Sequence, residues 1–305
     1  MDNLTHSLVG ALIGQAGLKR KTGLAMPALI IGANLPDVDA TCFLWLDGVQ
    51  HLGFRRGITH GPIAWVLLPL VLAGLLWGWD RWQAKRGKRP EGRLPVRFGW
   101  LYALAFIGCL THPALDWLNS YGIRFLAPFS WEWFYGDALF IIDLWVWLGL
   151  AFATWLSLRR ERANRDFAGV ARVALGALFL YAGGNAAISR LEKWMHSDSA
   201  VLIPNPVPLA FWQRQDIWGD GDGIWWVEGR RVGDVPLSQC SLSTTRQSDS
   251  QVDAFLTWSR APFVERLEGG AWNLSDARFA SRGGRFSVTL PEETCRLNES
   301  LPRPS

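Results

Sequence analysis

Apolar segments of two lengths alternate with short polar turns through roughly the first 190 residues of the chain. Two segments are short, one from Leu4 to Leu18 and the other from Gly23 to Leu35. Four are longer and approach the roughly 20 residues that a bilayer core requires. The longer segments are Pro62 to Trp79, Phe98 to Leu118, Ala138 to Leu158 and Gly169 to Ser189. The pattern predicts a mainly α, polytopic membrane helix bundle of four full-length spans with two short N-terminal helices packed against it.

After residue 190 the pattern changes to short β-branched and aromatic runs beside turn residues. Glycines at 219, 221 and 223 precede one such run, and Gly283 and Gly284 precede another. This spacing is typical of strands. The GDGDG stretch lacks the ligand spacing of a calcium loop, so a plain turn is expected there. The chain is therefore predicted to hold a membrane-embedded helical domain, 1–190, and a small β-rich extracytoplasmic domain, 191–305.

Composition supports a membrane protein, because 49% hydrophobic residues and 19 Trp exceed what a soluble protein of 305 residues carries. Basic charge is concentrated in two turns. Residues 81–97 hold seven basic residues and one acidic residue, and residues 159–165 hold four basic residues and one acidic residue. The positive-inside rule places both turns in the cytoplasm. We expect them to contact anionic lipids rather than nucleic acid.

This orientation assigns the other turns to the opposite face of the membrane. Alternating crossings place the N-terminus, residues 36–61, residues 112–137 and everything after 190 outside the cytoplasm. The predicted localisation is the bacterial inner membrane, with the active site and the C-terminal domain on the periplasmic side. One group of polar residues then gathers at that face: His6, Asp37, Asp39, His60, His112, Asp116, Asp137 and Asp143.

Four cysteines are present, and none forms a CxxC motif. Cys42 and Cys109 lie in or beside apolar segments, where a buried thiol acts as a small hydrophobic side chain. Cys240 and Cys295 both lie in the predicted periplasmic domain. They could form a disulfide there or remain free, and the sequence leaves both alternatives open.

His112 and Asp116 are four residues apart, which places both on one face of a helix. Such groups in an apolar segment are costly unless they are paired or bind a metal. Together with His6, Asp39 and His60 they form a ligand set of imidazoles and carboxylates, which suits zinc, with manganese or iron as alternatives. Several carboxylates favour more than one metal ion, and such a cluster can activate water for hydrolysis.

Other polar residues are assigned further roles. Asp143 is predicted to lie inside an apolar helix and to bind metal. Asp37 or Asp137 could act as the general base, although Asp37 could also be a cap and Asp137 the N-cap of the helix that follows. Asn119 and Arg124 could bind a substrate phosphate, or Arg124 could snorkel to lipid headgroups.

Five motifs in order resemble those of the YdjM-type membrane-bound, metal-dependent hydrolases. They are NLTHSLVGALIG, NLPDVD, RGITHGP, HPALDWLNSYG and FYGDALFIID. The resemblance covers about residues 1–190. That family is in turn similar to the zinc-dependent phospholipase C and P1 nuclease group, in which an all-α scaffold holds three zinc ions through His, Asp and an HxxxD pair. By position, the residues that resemble the shared ligand series are His6, Asp39, His60, His112 and Asp116.

The chain also departs from that pattern. The soluble enzymes add a later histidine and a second histidine-acid pair, but no histidine lies here between His112 and His196. Asp137 and Asp143 could replace these ligands, so the resemblance implies two or three zinc ions. The soluble enzymes also use their N-terminal amine as a ligand, and the additional residues before His6 argue against that role here.

These observations predict an integral-membrane hydrolase that cleaves a phosphoester in a lipid or lipid-linked substrate, as a phospholipase C-like phosphodiesterase or a phosphatase. One alternative is a metal-stabilised scaffold or sensor whose C-terminal domain recruits a periplasmic protein, the identity of which the sequence does not reveal. A second alternative, a metal-dependent lipid amidase or esterase, would use the same site.

Overall fold

A computed structural model describes residues 1–196, 201–282 and 286–296 of the chain. It divides into two compact units. The helical unit comprises residues 1–39, 56–188 and 206–212, and the β-rich unit comprises residues 40–55, 189–205 and those from 213 onwards. The connector 40–55 therefore belongs to the β-rich unit. The functional division expected at residue 190 stays a prediction.

Nine helices lie in the described residues. They are α1 Asn3–Gln15, α2 Ala25–Asn34, α3 Gln50–Phe54, α4 Pro62–Lys85, α5 Phe98–Trp117, α6 Leu144–Arg162, α7 Ala168–Met195, α8 Leu242–Ser248 and α9 Ser250–Trp258. The 3-10 helices include Leu35–Leu44 and Ile58–His60. The protein is thus mainly helical, as predicted.

Three of these helices, α4, α5 and α7, are long and apolar enough to cross a membrane. The fourth predicted span corresponds to α6, which does not meet that standard. It begins at Leu144 rather than Ala138 and reaches Arg159 and Arg160 before an apolar stretch of span length is complete. The described helices therefore provide three candidate spans where the sequence predicted four.

The late start of α6 changes the position of Asp143. Its carboxylate caps the helix by accepting a hydrogen bond from the N–H of Val146 at 3.0 Å. The prediction that Asp143 lies inside an apolar helix is therefore wrong. An aspartate at a helix start satisfies an otherwise unpaired backbone N–H, whereas in the apolar interior its charge would be left without a partner.

Within the helical unit, glycines allow α2 and α5 to pack closely. A Cβ added at Gly32 would lie 2.7 Å from the carbonyl oxygen of Ala105, and one at Gly108 would lie 2.6 Å from that of Leu29. Small residues at such crossings let two helix backbones approach each other. The close approach brings the C-terminal part of α5, which carries His112, against the end of α2.

The β-rich unit contains two small sheets. One has the order β1-β2-β3-β4, from strands Val201–Pro206, Arg214–Gly219, Trp225–Val227 and Arg230–Val232. The other has the order β5-β6-β7, from strands Pro262–Arg266, Trp272–Asp276 and Ser287–Leu290. The pairs β2-β3, β3-β4, β5-β6 and β6-β7 are antiparallel. The predicted β-rich region is present, whereas the turn predicted at 283–284 lies outside the described residues.

Two local predictions in this unit have clear outcomes. The Asp220 carboxylate accepts hydrogen bonds from the N–H groups of Asp222 and Ile224, which closes a plain turn as expected. Cys240 and Cys295 form a disulfide, which decides between the alternatives that the sequence left open. Cys42 and Cys109 are free and buried.

Candidate metal centre

Three histidines from separate elements meet in the interior of the helical unit. His6 comes from α1, His60 from the 3-10 turn Ile58–His60, and His112 from α5. All three side chains are fully buried. The rings of His6 and His112 stack with centroids 3.8 Å apart, and the His60 ring lies 5.1 Å from that of His112. Residues far apart in the chain thus form one imidazole cluster.

In His60 and His112, the ring nitrogen that points away from the cluster, which we call the outer nitrogen, contacts oxygen atoms. His112 Nδ1 lies 2.7 Å from the carbonyl oxygen of Ala33, which can only accept, so Nδ1 carries the proton and Nε2 offers its lone pair to the cluster. His60 Nδ1 lies 3.0 Å from Thr59 Oγ1 and 3.5 Å from Asp39 Oδ2. Metal-binding histidines are commonly oriented by an oxygen on the outer nitrogen in this way.

Two carboxylates face the inner nitrogens. Asp116 Oδ2 lies 3.5 Å from His112 Nε2 and 3.7 Å from His60 Nε2, and Asp116 Oδ1 lies 3.4 Å from His6 Nε2. Asp37 Oδ1 lies 3.7 Å from His112 Nε2 and 4.0 Å from His60 Nε2. Two overlapping groups result, His6 with His112 and Asp116, and Asp37 with His60 and His112, whose ligand atoms lie within 4.8 Å of one another.

Several buried polar atoms in this cluster make no hydrogen bond within the described residues. They are His6 Nδ1 and Nε2, His60 Nε2, His112 Nε2 and Asp116 Oδ2. Buried polar atoms are nearly always satisfied, so a concentration of unsatisfied nitrogen and oxygen atoms marks a place where a ligand is expected. Imidazole nitrogens and carboxylate oxygens are the donors that zinc prefers. The residues present therefore fit a metal.

The protonation of the histidines also fits this role. Burial lowers the pKa of His6, on α1 outside the candidate spans, to about 3. Burial likewise lowers the pKa of His60, which lies in a turn. Both imidazoles are therefore neutral at physiological pH, and the neutral form is the one that binds metal ions.

Arg56 is a cluster residue that the sequence did not predict. Its Nε lies 3.0 Å from Asp116 Oδ2, as an ion pair without hydrogen-bond alignment, and its Nη1 donates to Asn119 Oδ1 and to the carbonyl oxygen of Gly122, both at 3.1 Å. The side chain is buried, and the backbone is left-handed with φ 55°. A signal was present, because the RGITHGP turn carries a basic residue on the face that charge rules assign to the periplasm.

Met1 is the second unexpected neighbour. Its N-terminal amine is buried and donates to Asp116 Oδ1. Burial lowers the pKa of this amine from its ordinary value. The sequence argued against a place for the amine at the site, and the structure nevertheless brings it to the carboxylate that faces all three histidines.

The aspartates predicted from the sequence occupy different positions relative to the histidine cluster. Asp37 faces the inner nitrogens, whereas Asp39 lies on the outer nitrogen of His60 and accepts from Arg56 N–H at 2.8 Å and from Thr59 Oγ1 at 3.1 Å. Asp143 accepts from Tyr181 Oη at 3.0 Å in addition to capping α6. Within the described ranges, neither potential metal group includes Asp39 or Asp143.

Asp137 is fully buried at a left-handed position with φ 50°. It is not a helix N-cap, because α6 begins only at Leu144. That alternative for Asp137 is wrong, and its catalytic role stays a prediction.

Both predicted substrate-binding residues are buried. Asn119 Oδ1 accepts from Arg56 and from the N–H of Tyr121, while its Nδ2 makes no hydrogen bond within the described residues. Arg124 is 2% exposed, and its guanidinium packs over the rings of Trp133 and Trp131, 4.6 and 5.1 Å from the centroids. Its burial argues against the alternative in which this arginine extends to lipid headgroups.

The fold and the cluster together define a mainly helical membrane protein with a buried centre of histidines and aspartates. The family model described as YdjM inner membrane protein matches residues 1–188, which is more than half of the chain. The chain belongs to this family, as the five motifs predicted. No curated protein and no solved structure matches it significantly. The β-rich unit lies largely beyond the matched residues.

Proposed function

We propose that this protein is an integral-membrane, metal-dependent hydrolase that cleaves a phosphoester in a lipid or lipid-linked substrate at the periplasmic face. The observation that supports it most directly is the set of buried imidazole and carboxylate atoms without hydrogen-bond partners around His112. A purely structural cluster would be expected to satisfy these atoms internally. The proposed similarity to the phospholipase C and P1 nuclease group rests on the motifs alone.

Two cation positions follow from the two overlapping groups. His6 and Asp116 would hold one ion and Asp37 and His60 the other, with His112 available to either. Zinc is proposed first, as two or three ions, with manganese or iron as alternatives. When bound, such ions supply a Lewis acid and lower the pKa of water to the range in which it becomes a nucleophile.

In the proposed reaction, other residues of the chain orient the histidines, bind the phosphoester or accept a proton. Asp39 and the Ala33 carbonyl orient the rings of His60 and His112. Arg56 and Arg124 are buried guanidinium groups, and such groups stabilise the negative oxygens of a phosphoester. Asp37 either holds a cation or accepts a proton from water, and Asp137 is the second candidate for the base.

The proposed orientation includes a fourth crossing by α6, in addition to the three candidate spans. With that crossing the basic turns 81–97 and 159–165 lie on one side of the membrane, as the positive-inside rule requires. The disulfide between Cys240 and Cys295 is typical of an oxidising compartment, which the periplasm is and the bacterial cytoplasm is not.

Metal analysis combined with a lipid screen tests the proposal. The purified full-length protein should contain zinc or a similar metal in near-stoichiometric amount and should release a phosphorylated headgroup or phosphate from lipids in nanodiscs. His112→Ala should lose both metal and activity. His196→Ala is the matched control, because His196 is exposed and lies outside both groups of potential metal ligands found in the described residues, so both properties should be retained.

Other results would point to the alternatives. Full metal retention in a variant with both His60→Ala and His112→Ala would overturn the proposed centre. Bound metal without turnover of any lipid would favour the scaffold or sensor. Release of fatty acid in place of a phosphorylated product would identify an amidase or esterase.

A further inference from the structure

Residues 40–55 form an excursion between two residues of the metal centre. The segment leaves the helical unit after Asp39 and returns to it at Arg56. The backbone N–H of Arg56 donates to Asp39 Oδ2 at 2.8 Å, which ties the two ends together. The two residues that flank the segment are therefore hydrogen-bonded to each other, while residues 40–55 themselves belong to the β-rich unit.

One side of the excursion packs on α9 within the β-rich unit. A Cβ added at Gly53 would lie 3.0 Å from Ala254 Cα, so the two backbones are in direct contact. The N–H of Val49 donates to Gln251 Oε1 at 2.7 Å. These contacts hold α3 on the surface of the unit and fix which side of the segment faces outwards.

The outward side carries four large apolar residues, which we call the apolar tip: Phe43, Leu44, Trp45 and Phe54. Leu44 is 85% exposed and Trp45 is 58% exposed. The rings of Trp45 and Phe54 meet edge to face with centroids 6.3 Å apart, so the tip is continuous rather than scattered. Burial of such side chains away from water is favourable. A contiguous apolar surface of this kind marks an interaction site.

The length of the chain limits what can cover this tip. Pro62, the first residue of the candidate span α4, follows Phe54 by eight residues. Eight residues reach at most about 28 Å when fully extended, so Phe54 stays within that distance of the membrane-water boundary where the span begins. Trp45 lies close to Phe54, because their ring centroids are 6.3 Å apart. Tryptophan and phenylalanine beside aliphatic side chains are typical of segments that lie in that boundary.

We propose that the apolar tip inserts into the lipid interface of the membrane that the chain itself spans. The partner is the acyl and headgroup boundary of the bilayer, and the contact is independent of whether the metal centre is catalytic. It would give the β-rich unit a membrane attachment in addition to its covalent links to the helical unit.

Fluorescence depth measurement on the full-length protein tests this directly. The Leu44→Cys variant is labelled with an environment-sensitive thiol reagent and reconstituted into vesicles of phosphatidylcholine and phosphatidylglycerol. One set of vesicles has bromine on the acyl chains, and the other does not. Gln247→Cys is the matched control, because Gln247 is exposed on α8 of the same unit. The unsubstituted chain gives the background, since Cys42 and Cys109 are buried and the other two cysteines are bonded.

We expect the Leu44→Cys label to lose emission in brominated vesicles and to resist quenching by aqueous iodide. The Gln247→Cys label should show the reverse. Equal behaviour of the two labels, or a Leu44→Cys label that bromine does not quench, would overturn the proposal. Trp45→Cys repeats the measurement at a neighbouring position if Leu44→Cys fails to fold.

Discussion

The two units each bury a cluster of polar and ionisable residues, and the clusters differ in how completely their polar atoms are hydrogen-bonded. In the β-rich unit Asp276 and Arg278 are both inaccessible to solvent. Arg278 donates to both carboxylate oxygens at 2.8 Å, and Ser259 Oγ donates at 2.6 Å. The backbone N–H groups of Arg260 and Ala261 also donate to this carboxylate. No oxygen of Asp276 is left without a donor.

The cluster of the helical unit is the opposite case. His6, His60, His112 and Asp116 are equally buried but leave five nitrogen and oxygen atoms without hydrogen bonds within the described residues. Burial alone therefore does not distinguish a structural cluster from a functional one. The distinguishing property is whether the buried atoms satisfy one another, because unsatisfied buried atoms reduce stability and persist where function requires them.

The largest effect is expected from breaking the buried ion pair between Asp276 and Arg278. Asp276→Ala leaves the guanidinium of Arg278 buried without its counter-charge, which costs about 3–5 kcal/mol. The β-rich unit should therefore unfold at a much lower temperature, measured by limited proteolysis along a thermal ramp. Metal content should be unchanged, because the pair lies outside the centre.

An exposed ion pair of the same unit provides the control. Asp253 lies 2.6 Å from Arg246, and both side chains are about half exposed. Asp253→Ala should cost less than about 1 kcal/mol, because solvent screens such pairs. Equal destabilisation by the two variants would contradict the role assigned to Asp276.

The same pair predicts how the stability of the β-rich unit depends on pH. Burial raises the pKa of Asp276, but Arg278 and the hydrogen bonds outweigh burial and hold it below its ordinary value. A carboxyl group whose pKa is lower in the folded protein contributes stability at pH values above its pKa in the unfolded chain, which is about 4. This contribution is lost as the pH falls towards the pKa of the folded state. The free energy of unfolding should thus decrease below about pH 4. Asp276→Asn should be less stable at neutral pH and should lack this part of the acid dependence.

A smaller effect is expected from the residue that orients His60. Asp39→Asn removes the negative charge beside His60 Nδ1 but keeps a side chain of the same shape. Loss of such an outer partner typically lowers metal affinity about 10–100-fold. Competition with a chromophoric chelator measures this change. Asp47→Asn is the control, since Asp47 is exposed, and an unchanged affinity in Asp39→Asn would contradict the orienting role.

The sequence predicted which elements meet but not which atoms face inwards. Alternating crossings from the basic turns placed His6, His60, His112 and Asp116 at one face, and the structure brings them together. Asp37 and Asp39 were not distinguished. They lie in the 3-10 helix Leu35–Leu44, where three residues complete a turn, so positions two apart point about 120° away from each other.

Two other features depend on tertiary structure. A mostly apolar run does not reveal where a helix starts, so the predicted span from Ala138 included six residues, 138–143, that precede the helix α6. Arg56 was not predicted as a site residue because its partners Asp116, Asn119 and Gly122 are about 60 or more residues away in the chain. Both differences depend on which partners the polar groups of Asp143 and Arg56 find in the folded chain, and the hydrophobic pattern does not show this.

The smallest change in stability, and one of opposite sign, is expected from replacing an unsatisfied group in the metal-free protein. His6→Leu exchanges a buried imidazole, both of whose nitrogens lack hydrogen bonds, for an apolar side chain of comparable size. Such a replacement is expected to be nearly neutral or stabilising, because neither His6 nitrogen makes a hydrogen bond and Asp116 keeps its contacts with the Met1 amine and Arg56. In detergent with chelator present, the melting temperature of His6→Leu should equal or exceed that of the unsubstituted protein.

Without chelator the order should reverse, because the unsubstituted protein gains stability from bound metal and the variant does not. This reversal separates a functional cluster from a structural one in a single pair of melting curves. If His6→Leu melts well below the unsubstituted protein in chelator as well, His6 stabilises the fold as Asp276 does, and the contrast between the two clusters fails.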